Sequence, residues 1–257
     1  MDILIYGCGT LGTNIAQILL QQGHQITALT GTEKNHPRLK KIGIKATTTI
    51  SLDQQFDGLI FSLPPSKVED YSKTAKDALT FLKPNGKAIM TSSTAVYAEQ
   101  NGGRTTEESP LAHSERAHRL LNAEQHFYDA RQHVVRLSGL YNAEKGPQNV
   151  FVKNTKLDRN PDGLLNLIHY DDAATFVVQV LKKQPDLKTL IATDGSPITR
   201  ESLAQIAFAT LENDLQEPCK FNGKKNTGAG RILDNSLSRS HLDWSPTWTS
   251  ITEWLLG

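Results

Sequence analysis

Residues 7 to 12 read GCGTLG, a G-x-G-x-x-G spacing suited to binding a diphosphate. Gly7 would permit a tight turn, Gly9 would let the backbone approach a pyrophosphate, and Gly12 would let a helix pack closely on a strand. The amides of Thr10 and Leu11 would then face the phosphates at the positive end of that helix. Glycines gather in many turns, so context decides. Here the apolar run DILIY precedes the loop and an amphipathic segment follows it, as a dinucleotide turn requires. Cys8 reads as a small turn residue, since nothing near it in sequence would activate a thiol.

The second strand ends ALTGTEKNH. A dinucleotide site usually places Asp or Glu at this tip, where it binds the ribose 2′-hydroxyl. Thr30, Thr32 and Lys34 stand there instead, and Glu33 comes one or two places late. Hydroxyls and an ammonium suit a 2′-phosphate better than a carboxylate does. The expected cofactor is therefore NADP in preference to NAD.

These residues need a scaffold, and the chain has the material for one. It has 257 residues, of which 38% are hydrophobic, enough for one large α/β domain with a small appendage. The 28 basic and 27 acidic residues are spread evenly and leave a net charge of +1. No basic stripe of the kind nucleic-acid binding requires is present. Two cysteines indicate no disulfide framework. Met1 runs directly into a strand, and no apolar run is long enough to span a bilayer. The expectation is a soluble, cytoplasmic protein acting on a small molecule, with its oligomeric state open.

Strand and helix patterns alternate from the first residue. DILIY is followed by a helix with Leu11, Ile15, Ile18 and Leu19 on one face, then by strands at 24–30, near 43–49, at 56–63 and at 86–93. A helix before the last of these is expected to end at Pro84 and Gly86. A helix over 114–131 and a strand over 133–139 follow. Such alternation implies a Rossmann-type, doubly wound parallel sheet covered on both faces. On that fold Ser62, Leu63 and Pro64, ending the fourth strand, would border the cofactor. Beyond Tyr141 the sequence becomes polar, and order returns at LLNLIHY, with a helix from Asp172 and a strand KTLIAT. A Rossmann domain over 1–141, completed by about 165–195, is expected. A smaller substrate-binding unit would comprise 142–164 and 196–257. A polar loop, NGKKNTGAGR, precedes a final helix whose Ser250 and Glu253 have capping-box spacing.

Set in order, several segments resemble the NAD(P)-dependent epimerase/dehydratase family, the extended short-chain dehydrogenase/reductases. GCGTLG is similar to its nucleotide loop and SSTAVY to the serine/threonine motif closing its fifth strand. VVRLSGLYN, LIHYDDAA and LDWSPTW are similar to later family motifs, with Asn142 and Asp243 in place of glycines. The resemblance makes Ser93 the catalytic serine and puts Ser92 beside the cofactor. It also requires a later Tyr-x-x-x-Lys pair. Aligning AEQ at 123–125 to the glutamate that follows that pair puts Arg116 in the tyrosine slot and Leu120 in the lysine slot. The chain thus resembles an atypical branch that keeps the fold without the pair.

Hydride transfer at a carbon bearing oxygen needs a matching proton transfer, and general acid–base help is worth roughly a hundred- to ten-thousand-fold. Leu120 cannot supply it. Arg116 stays protonated, but it would hold a carboxylate, a phosphate or a developing oxyanion. Tyr97 is the nearest alternative phenol to Ser93, although packing under the following helix is the more ordinary role for it. His113, His118 and His126 lack helical metal-ligand spacing. His169 and Asp172 read as closing a strand–helix junction, with Asp172 as the cap. Two functions are therefore expected to compete: an oxidoreductase or epimerase-like enzyme for a small polar, anionic substrate, and a non-catalytic dinucleotide sensor.

Overall fold

The structure is a computed structural model that describes residues 1–223 and 228–257. The first part of the chain runs β1 (Asp2–Tyr6), α1 (Thr10–Gln21), β2 (Gln25–Leu29), α2 (His36–Lys41), β3 (Lys45–Thr47) and β4 (Phe56–Phe61). It continues through α3 (Tyr71–Leu79), β5 (Leu82–Ser93), β6 (Asn101–Thr105), α4 (Glu115–Asp129), β7 (His133–Leu137) and β8 (Gly139–Tyr141). After the short α5 (Pro147–Phe151) come β9 (Lys156–Leu157), β10 (Leu164–Leu165), β11 (Leu167–His169), α6 (Tyr170–Lys183) and β12 (Thr189–Ala192). The described chain closes with β13 (Ile198–Thr199), α7 (Arg200–Thr210), β14 (Lys220–Phe221), β15 (Gly230–Leu233), α8 (Ser236–Leu242) and α9 (Ile251–Leu256).

Seven strands form one parallel sheet in the order β12-β7-β5-β4-β1-β2-β3. The expected doubly wound fold is therefore present. Strands buried on both faces need near-continuous apolar runs, and Ile3, Leu4 and Ile5 of β1 are all fully buried. One face packs Ile15 and Leu19 of α1 with Phe176 and Val177 of α6. The other packs Ala75 and Ala78 of α3 with Leu120, Ala123 and Phe127 of α4. After β1 the chain winds outward to β2 and β3, and from β4 it winds the other way. This reversal opens a crevice at the carboxyl ends of β1 and β4.

Side-chain caps start most of these helices. Asp70 accepts the Lys73 N–H at the head of α3, Ser114 the Ala117 N–H at α4, and Thr199 the Ser202 N–H at α7. Helix α1 differs: its N-cap is Gly9, with no side-chain cap and no acidic residue in the first turn. The amides at its head are left for something else.

Several boundaries depart from expectation. Helix α3 ends at Leu79, not at Pro84 and Gly86, because the Phe81 carbonyl turns to accept the Phe56 N–H and β5 begins at Leu82. Asn85, at φ +64, absorbs the resulting irregularity in β5. Asp172 does not cap α6. His169 caps it, accepting the Asp171 N–H, and Asp172 is buried and accepts the N–H groups of Thr247 and Trp248 at 2.8 and 3.0 Å. At α9, Ser250 accepts the Glu253 N–H as expected, but the Glu253 carboxylate takes the Thr249 N–H and hydroxyl in place of the cap's own amide. Gly230–Leu233, which overlaps the end of the expected polar loop, is a strand paired with β6; Lys224–Thr227 of that loop lie outside the described residues. Among the described residues no helix is long and apolar enough to cross a membrane.

A third apolar cluster lies outside the sheet and gathers Phe151, Leu203, Cys219 and Ile251 around Tyr141. Near it sits Asp194, 3% exposed, with one carboxylate oxygen on the Ser196 N–H and the other without a partner among the described residues. Burial pushes its pKa up to about 7, against the Ser196 amide and the Arg239 charge. The folded state thus holds this proton more tightly than the unfolded chain does. Its stabilising effect is complete in acid and is lost as pH rises from the ordinary carboxylate range to about 7. Asp194→Asn should therefore raise the urea midpoint at about pH 8, and its advantage should shrink at about pH 5.

Candidate active site

The crevice is a cleft of about 780 Å³, a size ordinary for a small-molecule site. Its floor is Gly9, Thr10, Leu11 and Gly12 at the head of α1, and Ser62, Leu63 and Pro64 beyond β4 form one wall. The end of β5 contributes Thr91, Ser92 and Ser93, and α4 contributes Glu115, Arg116, Arg119 and Leu120. Leu137, Leu140, Lys145 and Tyr170 close the opposite side.

The three loop glycines are required for different reasons. Gly7 has φ +92, and a methyl there would stand 2.7 Å from the Leu63 backbone. A methyl on Gly12 would meet the Gly7 carbonyl at 2.8 Å and Ile5 at 3.1 Å. Both serve the close approach of strand, turn and helix. Gly9 is the exception: a methyl there would touch nothing within 4 Å. Its φ is −81, so no left-handed backbone explains the glycine. Open space above Gly9, in front of the uncapped amides of α1, fits a diphosphate lying against the loop.

Ser93 ends β5 facing the cleft, and its hydroxyl accepts the Ala95 N–H at 3.2 Å. Arg116 is exposed in the cleft one turn before Leu120. Arg119 donates to the carbonyls of Pro65 and Val68, fastening α4 to the chain beyond β4. Ser92 also borders the cleft, but its hydroxyl donates to Glu124 at 2.5 Å. Glu124 is fully buried and receives Nε and Nη2 of Arg136 at 3.3 and 2.7 Å. Burial alone would lower the Arg136 pKa; the Glu124 carboxylate reverses this and raises it.

Tyr97 is placed away from the cleft. It is 0% exposed, its ring lies under the Arg136 guanidinium at 4.9 Å, and its hydroxyl points to the Glu107 carbonyl at 3.5 Å. Burial raises its pKa despite Arg136. The turn at Thr94–Val96 reverses the chain after Ser93, so closeness in sequence does not become closeness in the site.

At the tip of β2, Thr30 is occupied with its own loop: its hydroxyl lies 2.6 Å from His36 Nε2 and 3.0 Å from the Thr32 carbonyl. Thr32, Glu33 and Lys34 are exposed beyond the cleft. A cation that the sequence did not mark reaches the glycine loop instead. Arg38 Nη2 of α2 donates to Thr13 Oγ1 of α1 at 3.3 Å, close enough to Cys8 to oppose the rise that burial imposes on its thiol pKa. Lys145 was equally unmarked; its Nζ donates to Thr10 Oγ1 at 2.7 Å. Both contacts span long stretches of chain, and no local pattern announces them.

Comparison with known proteins agrees with this geometry. Residues 2–111 match the sequence profile of the NAD binding domain of 6-phosphogluconate dehydrogenase. No curated protein matches the chain in sequence. UDP-glucose 4-epimerase from Thermotoga maritima, solved with UDP-glucose, superposes with a TM-score of 0.79 at 15% identity, over 99% of this chain and 96% of that one. UDP-glucuronic acid 4-epimerase from Bacillus cereus, solved with NAD, gives 0.76 at 14% identity, over 99% and 96%. The Bordetella bronchiseptica enzyme WbmG, solved with NAD and UDP, gives 0.76 at 16% identity, over 99% and 92%. The N-terminal part of the chain is thus similar to an NAD-binding Rossmann domain. The whole chain has the fold of NAD-dependent sugar-nucleotide epimerases.

Gly9→Ala should leave the thermal midpoint nearly unchanged, because the methyl enters open space. It should weaken dinucleotide binding in calorimetry by about tenfold, on the scale of a ~1–3 kcal/mol steric cost. Gly7→Ala should lose folding stability as well, by more than ~1 kcal/mol, from its positive φ and the Leu63 clash.

Proposed function

We propose that this protein is an NAD(P)-dependent oxidoreductase or epimerase-like enzyme acting on a small, polar, anionic substrate. The observation that carries this reading is the meeting of the glycine loop, Ser93 and Arg116 in one cleft. The loop amides and the open face of Gly9 would hold the cofactor's diphosphate, and Ser62, Leu63 and Pro64 would border it. When bound, the nicotinamide would exchange a hydride with a carbon that bears oxygen. The chain's own part is to orient that carbon and manage the charge on its oxygen. Ser93 accepts one backbone hydrogen bond, which leaves its hydroxyl proton to donate to a substrate oxygen. Arg116 offers a planar fork of donors suited to a carboxylate or phosphate. With Arg119 and Lys145 also present against Glu115 alone, the cleft favours an anionic ligand. The cluster around Tyr141 and Phe151 supports reading 142–164 and 196–257 as the substrate-side unit. The epimerases' UDP-sugars support a polar substrate here.

For the cofactor, we favour NADP. Arg38 at Thr13 and the exposed Lys34 put positive charge near the adenosine end, and among the described residues no carboxylate is bonded to Thr30. Arg38→Ala should weaken NADPH binding while leaving NADH nearly unaffected, and the difference should fade at high salt. Equal loss for both dinucleotides would assign Arg38 to the glycine loop alone.

One observation favours a second reading, a non-catalytic dinucleotide sensor. The α4 positions aligned with the Tyr-x-x-x-Lys pair hold Arg116 and Leu120, neither an ordinary acid–base group, and Tyr97 is turned away from the cleft. A turnover screen of NADPH and NADH against small keto acids and sugar phosphates separates the two. For an enzyme, Ser93→Ala and Arg116→Leu should each lower kcat/KM by about a hundredfold with cofactor binding intact, on the scale of lost oxyanion support. Full activity in both variants would move the reacting centre elsewhere. Tight binding without turnover of any compound would favour the sensor.

A further inference from the structure

Lys145 sits in an electrostatically awkward place. Its ammonium donates to Thr10 Oγ1, on the first residue of α1. A helix carries roughly half a positive charge at that end, so a cation is disfavoured there. Among the described residues Lys145 forms no ion pair that would compensate. The neutral Thr10 hydroxyl cannot balance both charges.

The loop that carries Lys145 is built to hold it there. The Asn142 side chain accepts the N–H groups of Glu144 and Lys145 at 3.0 and 2.8 Å, and the Asn142 N–H donates to the Lys145 carbonyl at 2.7 Å. The fully buried Gln148 donates to the carbonyls of Asn142 and Lys145 at 2.7 and 3.2 Å. Gly146 follows at φ +139, where a methyl would stand 2.7 Å from Tyr141. Two residues past Gln148 the chain reaches Val150, and Phe151 then anchors α5 in the apolar cluster around Tyr141. Strands β8 and β11 are paired in parallel, so this loop leaves the same ribbon end as α6. The Asp171 carboxylate at the head of α6 accepts from Asn14, one turn beyond Thr10 on α1. Two segments therefore meet α1 on one side, and the ammonium comes from one of them.

We propose that Lys145 is a ligand of the cofactor's diphosphate, contributed from outside the glycine loop. An anion between the ammonium and the α1 amides neutralises both at once. Binding then also fastens the segment 142–151, which leads into the substrate-side cluster, over the nucleotide. The proposal rests on the dinucleotide reading above and adds one cation to that site. It makes Lys145 a cofactor-binding residue, with no role in proton transfer.

ADP-ribose, which keeps the diphosphate and lacks the nicotinamide, is the probe. Lys145→Ala should weaken ADP-ribose binding in calorimetry by roughly ten- to a hundredfold, the weight of one charge-assisted hydrogen bond. The salt dependence of binding should flatten, and Lys145→Arg should restore most of the affinity. The thermal midpoint of unliganded Lys145→Ala should be no lower than that of the wild type, because an unfavourable charge has been removed. In hydrogen exchange, ADP-ribose should protect 142–151 in the wild type and not in Lys145→Ala. Equal affinity and equal salt slope in wild type and Lys145→Ala would overturn this proposal and leave the dinucleotide reading standing. A wild type that binds neither ADP-ribose nor any NAD(P) form would overturn both.

Discussion

The buried pair of Glu124 and Arg136 holds the Ser93 and Arg116 side of the cleft in place. Taking both charges out of water costs several kcal/mol per ion, and only close geometry with every lone pair occupied offsets it. That condition is met here. Arg136 gives two hydrogen bonds, Ser92 gives a third, Tyr128 adds a fourth at 3.2 Å, and the Tyr97 ring covers the guanidinium. These residues belong to β5, α4 and β7, together with the turn after Ser93. The pair thus fixes the spacing between the strand end that carries Ser93 and the helix that carries Arg116. Removing one partner would leave a bare charge in the core and loosen both walls.

This arrangement also explains why two neighbouring serines have different work. Successive residues of a strand point to opposite faces. Ser92 turns toward α4 and is consumed by Glu124, while Ser93 keeps its proton for the cleft. The phenol four residues on belongs to the first group. Its contact with Arg136 makes it part of the support for the site and turns its hydroxyl away from the cleft.

The features legible in the sequence are those encoded locally. The glycine loop, the strand–helix alternation and the cap at Ser250 each depend on residues within a few positions of one another, and the structure contains all of them. Features that depend on chain reversals were not legible. Tyr97 is only four positions past Ser93 in sequence, yet the Thr94–Val96 turn sends it into the core. Pro84 looked like a helix stop, but the chain had already left α3 and was pairing with Phe56. Asp172 followed an apolar strand as caps often do, and it serves instead to hold residues 247 and 248, far along the chain. Arg38 and Lys145 look like ordinary surface cations until the fold brings them to Thr13 and Thr10. The pairing of β6 with β15 joins NGGRT to GRIL, neither of which has strand-like alternation.

That last pairing bears on the order in which a nascent chain can assemble the site. The glycine loop and its neighbours β1, β2 and β4 all precede β5 and the turn after Ser93 in the chain, and domains tend to form as their segments emerge. The turn after Ser93 has to wait. The Thr94 carbonyl is held by Arg231 at 2.7 Å, and β6, a few residues on, has β15 as its partner. Contacts across so long a separation close late, because the intervening chain must first be brought together. The glycine-loop side of the cleft is therefore laid down early, and the wall beside Ser93 is fastened later. A chain stopped before Arg231 would keep the floor while the turn beside Ser93 lacked its last fastening.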